Sequence, residues 1–373
     1  MLSCGEPSGD LYAGALVREL RSRDPELQAF GLGGERLEAA GARLVADFHG
    51  LSVTGLTEAL KVLPKSLATY RQLVEAARQE RPDVLVLIDY PDFNFRLMKA
   101  VKTLGIPIVY YISPQLWAWR PGRMSVMKAL VDRVLVIFPF EEDLYRREGM
   151  DVRFVGHPLL EMTAPSADRA TLCREFGLDA SRPVVALLPG SRPNELTRIA
   201  PVLNVAAGLI ADRLPPTQFL VARAPHLEDG LFAPLSAHLQ HTIEGRTDDV
   251  LAVSDVVLTA SGTATVQTAI HGKPMVVLYK LSPLTYRLGK PLAKVDMYAM
   301  VNLIAGRRIV RELIQEACTP EAVADEAVAL LTNREHRDAM ARELDAVKAA
   351  LGGPGASGRA ADAILDLAHG RAR

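Results

Sequence analysis

Asp89 follows the apolar run 84–88 and precedes Tyr90, Pro91, Asp92, Phe93 and Asn94. A carboxylate at the end of a parallel strand stands on the rim where open α/β sheets bind ligands, close enough to apolar surface for its basicity to rise. It has the chemistry to take a proton from a hydroxyl group. Helix capping is the structural alternative and suits Asp92 better. Two turns further along suit an anion. The run 184–188 leads through Pro189, Gly190, Ser191 and Arg192 into a helix expected from about Asn194. Such a turn points N–H groups outward, where they hold a phosphate, and Arg192 adds a fork of donors; a solvated arginine on an ordinary turn is the alternative. The run 255–259 leads through Ser261, Gly262 and Thr263 into a helix over 264–271. Gly262 permits close backbone approach, and the small hydroxyl side chains donate while leaving room for a ligand. Together the two turns point to a nucleotide at the switch point of one sheet.

Three more clusters complete the candidates. Gly5, Glu6, Pro7, Ser8, Gly9 and Asp10 form a turn before a helix carrying Leu11, Ala15, Val17 and Leu20. A Ser8 or Asp10 cap explains that turn structurally, whereas capping does not require Glu6, which leaves these polar groups available to a ligand. Only Met1 to Cys4 precede it, fewer than the ~5–6 residues of an ordinary strand. Trp117 and Trp119, one residue apart, wall a ligand or pack a core, with Arg120 and Arg123 beside them for a phosphate. His157, in Gly156-His157-Pro158, either bonds a ligand or is a buried structural histidine.

These residues need rigid elements. Short apolar runs at 84–88, 108–112, 134–138, 184–188, 219–222, 255–259 and 275–278 alternate with helix-period segments. Near-continuous apolar strands separated by helices indicate parallel sheets covered on both faces, hence a doubly wound α/β fold. The pattern lapses between His157 and Arg174, so the boundary is placed at 162: residues 1–162 form one Rossmann-like domain and 163–350 another. A Gly-rich stretch, 352–358, then frees a last helix within 351–373 to cross to the first domain or to a partner subunit in a homodimer. Leu56, Leu60, Leu63 and Leu67 recur at helical spacing among Lys61 and Lys65, with Pro64 breaking the regularity. The stripe faces a core or dips into a membrane surface.

Composition narrows the classes. With 373 residues, 49% hydrophobic and 23% charged, the chain has material for two packed cores. The 43 basic and 44 acidic residues leave a net charge of -1, which supplies no drive toward nucleic acid. Three widely spaced cysteines show no metal spacing and read as reduced thiols, and the expectation is a cytoplasmic protein without a spanning segment.

The motifs GEPSGD from Gly5, IDYPDFN from Ile88, SPQLWAWR from Ser113, GHP from Gly156, LLPGSR from Leu187, ASGTA from Ala260 and NLIAGR from Asn302 resemble, in family order, the lipid-A-disaccharide synthase family. The resemblance implies a GT-B fold, with two Rossmann-like domains facing a cleft, the acceptor on the first and the donor nucleotide on the second. It implies inverting transfer from a UDP-sugar donor, UDP-2,3-diacylglucosamine, to an acylated glucosamine phosphate acceptor, 2,3-diacylglucosamine 1-phosphate. The resemblance further implies that no metal or other cofactor takes part and that the protein works peripherally at the inner face of the cytoplasmic membrane. By the same match Asp89 is the expected general base, Arg192 a donor-phosphate ligand and Asn302 a polar active-site residue. The segment 56–67 matches the membrane-facing region.

Three positions depart from the family pattern: Gln267 stands where a ribose-binding glutamate is common, Arg308 where an acidic residue is usual and Val301 where proline is common. Gln267 accepts only through its carbonyl oxygen. Rival readings are a UDP-N-acetylglucosamine 2-epimerase type of enzyme on the same fold and a catalytically impaired nucleotide or glycolipid binder. A Rossmann dehydrogenase would need the full GxGxxG spacing, which Gly31-Leu32-Gly33-Gly34 lacks.

Overall fold

The computed structural model describes residues 1–51, 56–116, 121–225, 227–235, 241–282, 286 and 296–370, the side chains of 56–61 and 121 excepted. The chain divides into two compact units. The first holds Met1–Pro158 and is rejoined by Leu351–Arg373; the second holds Leu159–Pro291 and Val295–Ala350. The short helix Leu159–Met162 therefore falls in the second unit.

The first unit is built on seven strands: β1 (Leu2–Cys4), β2 (Phe30–Gly33), β3 (Arg43–Asp47), β4 (Leu85–Ile88), β5 (Ile108–Tyr111), β6 (Arg133–Val136) and β7 (Val152–Phe154). They lie in the order β3-β2-β1-β4-β5-β6-β7, and every pairing is parallel. β1 has only three residues, yet it is bonded along both edges: Leu2 lies opposite Gly31 and Val86, and Ser3 opposite Leu32 and Leu87. Two neighbours supply the pairing that length does not. The second unit carries β8 (Val184–Leu188), β9 (Gln218–Arg223), β10 (His241–Glu244), β11 (Val256–Ala260), β12 (Met275–Tyr279) and β13 (Arg311–Ile314), in the parallel order β10-β9-β8-β11-β12-β13.

Both are doubly wound sheets, as the alternation of apolar runs and helices predicts. Leu85, Leu87, Ile108, Tyr110, Val134 and Val136 are fully buried in the first core, as are Val184–Leu187, Val256–Leu258 and Met275–Val276 in the second. Each Val, Leu, Ile or Met side chain among them contributes about 1.5–3 kcal/mol on leaving water, so strands buried on both faces anchor the fold. In each unit the strand order reverses once, between β1 and β4 and between β8 and β11. The loops leaving those four strands flank the topological switch points.

The helix Ala356–Gly370 packs on the helix Pro7–Arg23 of the first unit. Arg23 pairs with Asp362, Arg133 Nη1 donates to the carbonyl of Ala363 at 2.7 Å, and Arg153 reaches Asp366 at 3.3 Å. Arg359 then donates to three carbonyls, those of Val155, Gly353 and Pro354, each at 2.8 Å. These bonds tie the Gly-rich return to the end of β7. The helix Leu56–Glu80 runs on through Pro64, where the sequence suggested an irregularity.

Candidate active site

At the first switch point the chain leaving β4 does something costly. Asp89 and Tyr90 both take left-handed backbone angles, φ 45° and 50°, and Ile112, just past the neighbouring β5, sits at φ 60°. Asp tolerates this region, but for a tyrosine or a β-branched isoleucine it costs about 1–3 kcal/mol each, strain that persists only where the surroundings over-determine it. Here they do. The Asp89 N–H donates to the Ile112 carbonyl at 3.2 Å, and the Asp89 carbonyl accepts from Asn94 Nδ2 and from the Tyr110 hydroxyl, both at 2.8 Å. The kink turns the half-buried Asp89 out of the strand at the rim and starts the helix Pro91–Lys102, with Tyr90 as its N-cap residue and Pro91 in its first turn.

The loop leaving β1 meets it. Gly5 lies under the Tyr90 ring, where any Cβ would collide with the ring carbons. Glu6 and Ser8 are half-buried at the start of the helix Pro7–Arg23, whose N-cap residue is Glu6 in extended conformation. Neither Ser8 nor Asp10 caps this helix, contrary to the structural expectation. Asp10 instead accepts from the N–H groups of Gly34 at 2.7 Å, Arg36 at 2.9 Å and Leu37 at 3.1 Å. It thereby satisfies the open donors of the helix Glu35–Ala39. These bonds account for a buried carboxylate without a ligand. Asp92 is no cap either; it is exposed and pairs with Arg123, whose guanidinium lies 4.9 Å from the Phe95 ring centre.

Tyr12 faces this site. Burial, and next the charge of Asp89, push its hydroxyl well above the usual phenol range. His157 packs its ring at 6.2 Å from Tyr12 and 5.4 Å from Phe138, only 2% exposed, and burial pushes its pKa down to about 3. A neutral imidazole results, and the His157 backbone N–H donates to the Leu351 carbonyl at 2.9 Å. Trp117 and Arg120 lie outside the described residues.

In the second unit the turn after β8 places Gly190 at φ 121°, with Arg192 as N-cap residue of the helix Pro193–Arg213. Glu195, absent from the sequence candidates, folds back under this turn. Its carboxylate accepts from the Ser191 N–H at 3.2 Å and from Arg192 Nη1 at 3.3 Å, and a Cβ on Gly190 would come within 2.5 Å of it. Glu195, the third residue of the helix, thus satisfies donors at the helix start as a structural cap does, and a phosphate held by this turn would have to take its place on Ser191 and Arg192. The turn after β11 is open: Gly262 and Thr263 are exposed, Gly262 has φ 148°, a Cβ added to it would meet nothing within 4 Å, and no side chain caps the helix Thr263–Ile270. Ser261 spends its hydroxyl proton on the Tyr298 carbonyl at 3.0 Å and keeps its acceptor capacity.

Gln267 donates through Nε2 to Asp248 Oδ1 at 2.8 Å, and His271 Nε2 meets the same oxygen at 2.9 Å. Only the amide NH₂ fits against a carboxylate, so the Gln267 carbonyl oxygen faces the other way, as an acceptor. Asn302 is fully buried. It donates to the Val310 carbonyl at 3.0 Å and to Glu312 at 2.7 Å, and accepts from the N–H groups of Ile309 at 2.8 Å and Val310 at 3.0 Å. Those bonds use its amide completely, which places it in the framework behind the turns rather than on a ligand. Arg308 is exposed and donates to the Asp296 carbonyl at 2.9 Å. A cavity of about 490 Å³ at the β13 edge, lined by Arg308, Glu312, His336 and Met340, shares no residue with the two turns.

The profile of the lipid-A-disaccharide synthetase family matches residues 1–356. A curated lipid-A-disaccharide synthase of Syntrophus aciditrophicus is 43% identical over 371 residues, covering 98% of this chain and 97% of its own. This chain belongs to that family. It is a glycosyltransferase of lipid A biosynthesis. Among solved structures, a UDP-GlcNAc 2-epimerase from Neisseria meningitidis bound to UDP-GlcNAc superposes with a TM-score of 0.69 at 14% identity, covering 98% of both chains. The glycotransferase of kitacinnamycin gives 0.67 at 20%, again covering 98% of both. At such identities these likenesses speak to the GT-B fold alone. Family membership favours glycosyl transfer over the epimerase reading.

Proposed function

We propose that the chain joins UDP-2,3-diacylglucosamine to 2,3-diacylglucosamine 1-phosphate, releasing UDP, with Asp89 as general base. The observation that carries this reading is the strained Asp89–Tyr90 backbone at the switch point of the first sheet, with both the N–H and the carbonyl of Asp89 bonded. Strain of this kind is retained where a side chain has to be aimed. Asp89 takes the proton of the acceptor's 6-hydroxyl as that oxygen bonds to the anomeric carbon from the face opposite the phosphate. The bond to the diphosphate breaks in the same step, which inverts the centre. Arg192 and the N–H groups of the turns after β8 and β11 meet the charge of the departing UDP. Support for a UDP-sugar donor comes from the family match over residues 1–356.

Leu63 and Leu67 are 48% and 45% exposed on the helix Leu56–Glu80, next to exposed Lys65, whereas the side chains of Leu56 and Leu60 lie outside the described residues. Two bare leucines beside a lysine fit a peripheral contact with an anionic membrane surface, which would bring acylated substrates to the site. Among the described residues no helix is long and apolar enough to cross a bilayer. The test is to supply both acylated sugars and assay UDP and disaccharide, with Asp89→Asn alongside. Loss of roughly 10² to 10⁴ in turnover with UDP affinity retained is expected. Near-normal turnover of folded, saturated Asp89→Asn would remove Asp89 from the role.

A further inference from the structure

Behind the Asp89 kink lies a set of buried polar groups that neither capping nor sheet pairing requires. Ser3, in the central strand β1, donates its hydroxyl to Asn94 Oδ1 at 2.7 Å. That bond settles which way the Asn94 amide faces: its Nδ2 then donates to the Asp89 carbonyl at 2.8 Å, with the Ser3 carbonyl at a longer 3.4 Å. Tyr110, in the adjacent β5, donates its hydroxyl to the same Asp89 oxygen at 2.8 Å. Ser3, Asn94 and Tyr110 are each 0% exposed. Both lone pairs of one strained carbonyl are thus held from two directions, by Tyr110 from β5 and by Asn94 from the helix that follows β4, with Ser3 of β1 orienting the Asn94 amide.

We propose that Ser3, Asn94 and Tyr110 are positioning residues for the reaction: they lock the 89–90 peptide plane, and through it aim the Asp89 side chain at the acceptor hydroxyl. The inference rests on Asp89 being the base. The carbonyl is one of two anchors: with the Asp89 N–H held by the Ile112 carbonyl on one side and the Asp89 carbonyl held by Asn94 and Tyr110 on the other, the N and C atoms on the Asp89 Cα are fixed and so is the direction of its Cα–Cβ bond, and a misplacement of about 1 Å in a reacting group costs on the order of 10²-fold in rate. None of the three needs to touch substrate for this to hold.

Tyr110→Phe keeps the ring and deletes one bond to the carbonyl; Ser3→Ala releases the Asn94 amide and serves if the first variant folds poorly. Each is expected to lower kcat by about 10- to 100-fold at saturating substrates, with KM for both sugars and the affinity for UDP within about twofold of the parent. The deciding measurement is Tyr110→Phe in an Asp89→Asn background. A residue that acts only by aiming this carboxylate has nothing left to aim, so the double variant should turn over as slowly as Asp89→Asn alone. If the losses multiply, or if folded Tyr110→Phe and Ser3→Ala retain kcat within about twofold while Asp89→Asn is dead, the relay is refuted and the base assignment survives. Full turnover in Asp89→Asn would bring down the base assignment and the relay with it.

Discussion

His157 makes the first unit sensitive to acid, and the size of the effect follows from its burial. The ring is 2% exposed, packed against Tyr12 and Phe138, and its pKa falls from an ordinary 6.5 to about 3 because the charged form is stripped of water. In the unfolded chain the same imidazole takes up a proton near pH 6.5. Between the two values the unfolded state binds more protons than the folded one, so stability is full above about pH 6.5 and is lost progressively as pH falls toward 3. At about 1.36 kcal/mol per unit the whole interval is worth about 5 kcal/mol. By about pH 5 the loss is about 2 kcal/mol, a figure set almost wholly by the unfolded pKa, and for a unit of this size it corresponds to a fall in Tm of roughly 4–8 °C. The assay is the Tm of the first unfolding transition at about pH 7 and about pH 5, for the parent and for His157→Gln. The glutamine variant starts from a lower Tm, since the packing changes, but should lose about 2 kcal/mol less between the two pH values. Equal acid losses in the two proteins would show that His157 is already charged in the folded state and refute the reasoning.

Arg192→Ala should weaken UDP binding by about 1.5–3 kcal/mol, the value of one charged hydrogen bond, and unchanged affinity by calorimetry would reject the contact. Replacing Leu63 and Leu67 by serine should reduce binding to anionic vesicles and turnover on acylated sugars without lowering Tm, because both are exposed; a large fall in Tm would mark them as core. Asn302→Ala strands the Val310 N–H and carbonyl and the Ile309 N–H, so stability should drop by about 1–3 kcal/mol or more while UDP affinity stays within about twofold. Normal stability with lost UDP binding would return Asn302 to the ligand.

The interior of both sheets was legible in the chain. The runs at 84–88, 108–112, 184–188 and 275–278 coincide closely with β4, β5, β8 and β12, because a parallel strand buried on both faces has to be apolar at nearly every position. The strands that pattern reading passes over are mostly those at sheet edges: β3, β7, β10 and β13, with sequences RLVAD, VRF, HTIE and RELI. An edge strand pairs on one side and faces solvent with part of its surface, so it carries charges and leaves no hydrophobic run to read. β1 was hidden differently, three residues long and held by neighbours distant in sequence.

What the sequence determined by itself was local: strand-end turns rich in glycine and small hydroxyls, a carboxylate directly after an apolar run, and motifs in an order that matches one family across nearly the whole chain. Who bonds whom was a matter of three dimensions. Asp10 is spent on the helix Glu35–Ala39, Asn302 on Val310 and Glu312, and Glu195 lies on the very donors a phosphate would use. The left-handed turn at Asp89 is likewise invisible in its own neighbours, since a tyrosine at that angle is disfavoured on local grounds alone. Hydrogen bonds from Tyr110, and from Asn94 as set by Ser3, hold it there, and only the pairing of β1, β4 and β5 brings those groups within reach.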